Sequence, residues 1–369
     1  MDFTHSEERQ MLADTLNRWV AQDYPLAARL EAGASETGFD PAKWKALADL
    51  GVIGALFDER NGGFGGAGFD LMVVFQALGQ GLVVEPLLSS GVLAGGVLAA
   101  CGGEGLEAVL DGSQIGALAH FEAGDGWQID AITTTARKTP DGWQLSGEKA
   151  VVRGAPGADF LIVSAQTGDG IALFRLPVGT GGMALRAYQT IDGGAAAEVR
   201  LDAVALADNA LLAGPDRGEA VLEAVLGRGL FCLCAEALGI MEVIRDMTVE
   251  YLQTRRQFGL PIGKFQALQH RMATLLIEIE QARAAVVRAA AALDEPGTAR
   301  ERALSAAKVT IGQVGTLVGE ESIQMHGGIG MTWEHPLGHF VKRLILITQE
   351  MGDEDHHLMR YVALGRGDG

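Results

Sequence analysis

Arg255, Arg256 and Gln257 follow one another immediately before Phe258 and Gly259. Gly259 falls where a helix C-terminus takes a left-handed residue, and Pro261 where a helix cannot continue. Cations in a last helical turn suit the helix dipole, so one reading of the pair is capping. The other is a polyanion clamp, because a guanidinium presents a rigid fork that matches phosphate oxygens. On these residues alone the cap is the simpler account. A second candidate is Gln324-Met325-His326-Gly327-Gly328, which closes a helical stretch. One glycine would make a C-cap; two after a glutamine also leave main chain bare enough for a ligand to approach. His326 reads as a packed or capping histidine rather than a catalytic one.

Other groupings are excluded by spacing. Asp353-Glu354-Asp355-His356-His357 has the residue types of a metal cluster, but the chain has no HExxH and no CxxC. It reads as an acidic first helical turn, and no metal is expected. No GxSxG elbow and no Cys/His arrangement points to an acyl-enzyme. Gly63, Gly65 and Gly68 spell GxGxxG within NGGFGGAG. A dinucleotide fingerprint needs a strand before it, and helical patterns lie on both sides here, so the segment reads as a loop.

The elements that must carry these residues come in three blocks. Up to about residue 110 the pattern is helical. Met11, Leu12, Thr15, Leu16, Trp19 and Val20 form one stripe. Asp40-Pro41 is an N-cap followed by proline at the first helical position, and Gly51 ends that helix. Leu71–Leu82 and Leu87–Ala100 are two further helices split by Glu85-Pro86. From Ile115 to Leu212 the period becomes two, with strands expected at 132–135, 143–152, 160–165, 171–176 and 197–204, and a hairpin at Asp141-Gly142. From Gly218 the helical period returns: 222–254, 265–293, a helix opened by a Thr298/Glu301 capping box and running to Met325, then 337–348 and 354–364. The expected fold is a helical domain (1–112), a central antiparallel β-barrel-like domain (113–214) and a C-terminal four-helix bundle domain (215–369).

A chain of 369 residues with 48% hydrophobic and 21% charged residues can bury a large core. Its net charge of −18 excludes nucleic acid and anionic membrane as partners. Cys101, Cys232 and Cys234 form no CxxC and cannot all pair, which points to a reducing cytoplasm. The start MDFTHSEERQ carries no signal-peptide pattern, and the most apolar stretch, Leu87–Cys101, is too short and too rich in Gly and Ser to span a bilayer.

Taken together, these pieces resemble the acyl-CoA dehydrogenase family of flavoproteins over essentially the whole chain. The resemblance rests on the helix–β–helix order, Arg255-Arg256-Gln257-Phe258-Gly259, Phe265-Gln266 and Gln324-x-x-Gly327-Gly328. Asp70 after the Gly-rich loop and Ala77-Leu78-Gly79 add to it. It implies FAD lying extended between subunits. Arg255, Gln257, Phe258, Phe265, Gln266, Gln324, Gly327 and Gly328 would grip the pyrophosphate and adenosine end of a neighbour's FAD. It also implies α,β-dehydrogenation of an acyl-CoA thioester, with a Glu removing the α-proton and the flavin taking the β-hydride. Electron-transfer flavoprotein is a possible partner.

The sequence departs from that pattern on the chemical side. Alignment on Gly352 puts Met351 at the family's base position, with Glu350 one residue away. Alignment on Ala237-Leu238-Gly239 puts Gly229 and Leu230 at the alternative Glu-Arg site, with Arg228 offset by one. The flavin-contacting TEPxxGSD segment reads LAHFEAGD here. GxKxWIT reads Gly147-Glu148-Lys149-Ala150-Val151-Val152-Arg153, with Val151 for Trp and Arg153 for Thr. The expectation is therefore the smaller, base-lacking subunit of a heteromeric (heterodimeric or heterotetrameric) enzyme. The rivals are an autonomous homo-oligomer using Glu350 as catalytic base, a flavin monooxygenase, and a non-catalytic scaffold. Any CoA contact would rest on local cations such as Arg228 or Arg245.

Overall fold

The computed structural model describes residues 6–124, 126–295 and 297–366. Its contacts divide the chain into two compact units: residues up to Arg29 with Ala67–Val83 and the chain from Leu230, and Leu30–Gly66 with Val84–Gly229. The order along the sequence is helices, then sheet, then helices. It runs α1 (Glu7–Asp23), α2 (Leu26–Ala34), α3 (Pro41–Asp49), α4 (Gly68–Gly81), a π-helical run Leu87–Ala94, α5 (Gly95–Ala100) and α6 (Leu106–Leu110). Strands β1 (Gly116–Ala119), β2 (Thr135–Thr139), β3 (Gly142–Arg153), β4 (Phe160–Gln166), β5 (Ile171–Pro177), β6 (Met183–Gln189), β7 (Ala195–Leu206) and β8 (Leu211–Ala213) follow. The chain ends with α7 (Gly218–Thr254), the two-residue strands β9 (Arg256–Gln257) and β10 (Leu260–Pro261), α8 (Gln266–Ala292), α9 (Thr298–His326), α10 (Leu337–Gln349) and α11 (Glu354–Arg366).

In the β-containing unit, the sheet runs β6-β7-β3-β2-β4-β5-β8, with β1 on β4. Asp141-Gly142 turns β2 into β3 as expected, pairing Thr139 with Gly142. Most pairs are antiparallel; β4 is flanked by the parallel ones, β1 from Gly116/Phe160 to Ala119/Val163 and β2 at Thr135/Gln166. Sequence periodicity misses β1 because all four of its residues are buried, so nothing alternates. Residues 132–134 are not strand. The amides of Thr133 and Thr134 donate to the Glu122 carboxylate (2.7 and 3.0 Å) instead of to a neighbouring strand. Asp40 caps α3 by accepting from Ala42 N at 2.8 Å, with Pro41 at the first helical position.

In the helical unit, α4 and α7 cross with backbones nearly touching. A Cβ on Gly79 would lie 2.2 Å from the Glu236 carbonyl oxygen, and one on Gly239 2.0 Å from that of Gln76. Only glycine permits this approach. The buried Glu242 carboxylate accepts from Gln76 and Gln80 of α4 and from Arg283 of α8, stitching the three helices. Asp70 accepts from Ala67 N at 3.0 Å and pairs with Arg9 of α1 at 2.6 Å. α7 is long and apolar enough to cross a bilayer, but 89% of its most apolar stretch is buried inside the protein, so it is a core helix. The expected Thr298/Glu301 capping box does not form. Gly297 holds the cap position, and Glu301 is drawn into the core by Arg300 (2.6 Å) and Arg360 (2.7 Å).

Candidate functional site

α7 ends at Thr254, where Arg255 N makes the last helical bond to Tyr251 O at 2.9 Å. The next residues form a tight hairpin pairing Gln257 with Leu260 and Arg256 with Pro261. Its tip, Phe258 (φ 52°) and Gly259 (φ 81°), is left-handed at both residues. Gly259 is therefore a hairpin residue and not the helix C-cap that its position suggests, because the helix ends five residues earlier, at Thr254. A phenylalanine in this conformation is strained. It is also 90% exposed, its ring set edge-on to Phe265 at 6.1 Å. Arg255, Gln257, Phe265 and Gln266 are all exposed. Arg256 donates to Gly259 O at 3.1 Å, and Arg255 carries no ion pair among the described residues.

The second motif reaches the same end of this unit. The ring of Tyr251, one turn before Arg255, stacks on that of His326 at 4.5 Å and 21°. His326 ends α9, and Gly327 (φ 65°) follows. A Cβ at Gly327 or Gly328 would meet nothing within 4 Å, so the main chain there is open, and Gln324 beside it is exposed. His326 itself is buried, its Nδ1 bonding Ser322 O at 2.8 Å, which is the packed role expected of it. An exposed guanidinium and uncovered glycine backbone together suit an extended anion.

The loop after α10 is fixed from three sides. Lys308 of α9, fully buried, donates to Thr348 O at 3.0 Å and to Gly352 O. Burial lowers its pKa from the usual lysine range. His357 Nε2 bonds Met351 O at 2.9 Å, and burial pushes this imidazole down to about 3. Asp353 caps α11 through His356 N at 2.9 Å, the cap role expected of this acidic stretch. Glu350 faces Arg343 of α10 at 3.2 and 3.3 Å. The same guanidinium is gripped by both oxygens of Glu236 of α7 at 2.6 and 2.7 Å. Met351 takes a left-handed φ of 55°.

The β-containing unit buries a second polar group. Lys149 Nζ, without exposed surface, donates to His120 O (2.9 Å), Glu122 Oε1 (2.8 Å) and Ser164 Oγ (3.1 Å). Burial opposes ionisation of Glu122, but the hydrogen bonds from Lys149, Thr133 and Thr134 prevail and lower it to about 2. Burial, reinforced by Lys149, pushes His120 down to about 3. A bulge between Lys149 and Val152 lets Ala150 N bond Phe121 O at 2.9 Å and forces Val151 to φ 51°. Arg153 pairs with the buried Asp192 of the β6–β7 turn at 3.4 Å. Arg228 donates to Gly66 O, and Arg245 pairs with the adjacent Asp246 at 2.7 Å.

The residues that sequence reasoning did not single out are Glu236, Arg343, Lys308, Glu122 and Lys149. Two of them have a shared signal: Glu236 and Lys308 are single charges inside otherwise apolar helical stretches, which are buried only with a partner.

Comparison with known proteins gives the family. The N-terminal domain of acyl-CoA dehydrogenase matches residues 6–109, and its C-terminal domain residues 216–362. Acyl-CoA dehydrogenase IpdE2 of Mycobacterium tuberculosis is 33% identical over 347 residues, covering 92% of each chain. Human short-chain specific acyl-CoA dehydrogenase, mitochondrial, is 28% identical over 349 residues, covering 89% of this chain and 83% of its own. Among solved structures, a chain of the ChsE4-ChsE5 complex from Mycobacterium tuberculosis superposes with a TM-score of 0.90 at 28% identity, covering the whole of this chain and of its own. A variant of the Tcur3481-Tcur3483 steroid ACAD gives 0.88 at 30% identity, covering 98% of each. The chain belongs to the acyl-CoA dehydrogenase family of FAD-dependent oxidoreductases.

Proposed function

We propose that this chain acts in α,β-dehydrogenation of an acyl-CoA thioester as the base-lacking subunit of a heteromer, holding the ADP end of FAD whose ring lies against a homologous partner. The observation that carries this reading is the fate of Glu350. It is the one carboxylate beside the family's base position, and Arg343 engages both of its oxygens. A general base must reach the proton it removes. Glu350 is turned instead into an ion-pair network with Glu236, while Met351 and Gly229 at the two base positions accept no proton.

The anion-binding end, by contrast, is complete. Arg255, Gln257 and Phe258, with Phe265 and Gln266, present donors and an aromatic ring, and Gln324, Gly327 and Gly328 present open backbone. These residues fit a dinucleotide's diphosphate and adenosine. FAD, when bound, supplies the hydride acceptor. Arg153, where the family pattern has a flavin-facing Thr, is committed to Asp192, consistent with the ring being seated elsewhere. Phe258, Ile277, Met331 and Trp333 are each more than 60% exposed. One similar chain, matched over its full length, is part of the ChsE4-ChsE5 complex. The free cysteines fit a cytoplasmic setting, and electron-transfer flavoprotein is the expected electron acceptor.

Expression of the chain alone and with a Glu-bearing family member tests the reading. The pair should oxidise acyl-CoA and the lone chain should not, and Glu350→Gln should leave the pair's rate unchanged. A lone chain that binds flavin stoichiometrically and loses activity through Glu350→Gln would overturn it.

A further inference from the structure

The two halves of the proposed dinucleotide clamp lie on different helices, 72 positions apart between Arg255 and Gly327. Three rings sit at the helix ends that carry them. Tyr251 stacks face to face on His326 at 4.5 Å and 21°, and His335 lies edge-on to His326 at 5.1 Å. Tyr251 is the residue whose carbonyl ends α7 at Arg255. His326 is the residue before Gly327, and His335 accepts from Leu337 N at 3.3 Å where α10 begins. Each segment leading into or out of the clamp thus starts from one member of the ring set.

Packing alone does not explain a histidine at this place. His326 is 3% exposed, and its Nε2 has no hydrogen-bond partner among the described residues. A leucine or phenylalanine would fill the space without an unsatisfied buried nitrogen, so the histidine carries a cost to stability. What it adds is directional. Nδ1 ties the ring to Ser322 O one turn back, which fixes the ring plane relative to α9. A flat ring so held sets the separation of the two helix ends to one stacking distance.

We propose that Tyr251 and His326 are positioning residues for the clamp: their stack sets the spacing between the Arg255 turn and the open Gly327-Gly328 backbone so that both reach one diphosphate. The inference rests on the reading of this end as a dinucleotide site. ADP is the probe, titrated calorimetrically into the full-length chain. Tyr251→Leu and His326→Leu should each bind ADP about tenfold more weakly, since affinity here depends on preorganisation. Tyr251→Phe and His326→Phe, which keep a ring to stack, should bind like the parent chain. Near-UV circular dichroism establishes folding, and Tyr251→Met replaces any leucine variant that fails to fold. Arg255→Ala separates the two levels. If Arg255→Ala weakens ADP binding and the leucine variants do not, the ring inference is overturned while the dinucleotide reading stands. If Arg255→Ala has no effect on ADP, the dinucleotide reading fails and takes the inference with it. Equal loss in Tyr251→Phe would assign the effect to the hydroxyl and also overturn the stack.

Discussion

Arg343 lies between carboxylates from different elements, with 8% of its side chain exposed, against 9% for Glu236 and 13% for Glu350. Removing one member of such a pair leaves the other charge buried without compensation, at about 3–5 kcal/mol. Arg343→Met should lower the unfolding free energy by that order in a urea titration. Glu350→Gln, which keeps a hydrogen-bond acceptor, should cost about 1 kcal/mol. The buried histidines set the acid limb of stability. His120 and His357 stay neutral in the fold down to about pH 3, whereas their ordinary value is 6.5. The unfolded chain binds more protons between those limits, so stability falls as pH drops below 6.5, by up to about 1.4 kcal/mol per unit for each histidine. Glu122 acts lower: its stabilisation is whole above its ordinary 4.5 and is lost as pH falls through about 2. Unfolding free energies measured from pH 7 to 4 should slope downward towards acid, and His120→Asn should give a shallower slope.

At the scale of elements, the α4–α7 crossing and the end of α9 make opposite demands on glycine. Gly79→Ala would drive a methyl into the Glu236 carbonyl and should cost several kcal/mol, about the upper range for overpacking. Gly328→Ala meets open space and should leave the melting temperature unchanged while weakening flavin retention, measurable in a thermal scan beside a flavin absorbance assay. The helices and main strands are legible in the sequence because each has its own local period: Asp40-Pro41 announces α3, and Asp141-Gly142 announces the β2–β3 hairpin. What is not legible is pairing at a distance. Glu236 and Arg343 are 107 residues apart and Glu122 and Lys149 are 27 apart, so no local pattern joins them. β1 has no alternation to read, and Gly259 carries the same left-handed preference in a hairpin as in a helix cap. The Arg255 and Gln324–Gly328 segments, proposed here to hold the ADP end, stand out in the sequence as short motifs; how the ends of α7 and α9 are joined does not.

For the whole molecule, the prediction concerns stoichiometry. If one chain holds the ADP end while its partner supplies the base and ring contacts, flavin and active sites scale with pairs and not with chains. The purified heteromer should carry half-stoichiometric flavin per polypeptide by absorbance against protein concentration. Arg255→Ala in this chain alone should lower the flavin content of the complex without abolishing assembly, as read by size-exclusion chromatography. Full occupancy of every chain would be incompatible with a shared cofactor.

If the chain is the base-lacking subunit proposed above, the way Glu350 is held limits how it could regain a base. A lone Met351→Glu change would put a fresh carboxylate in a loop already holding Glu350 and Asp353, where Arg343 and Lys308 have their attachments fixed. The new acid would compete for cations that brace the fold, so self-sufficiency could not return by one codon. Dependence on a companion would then persist by a ratchet, even in lineages where selection no longer favours it.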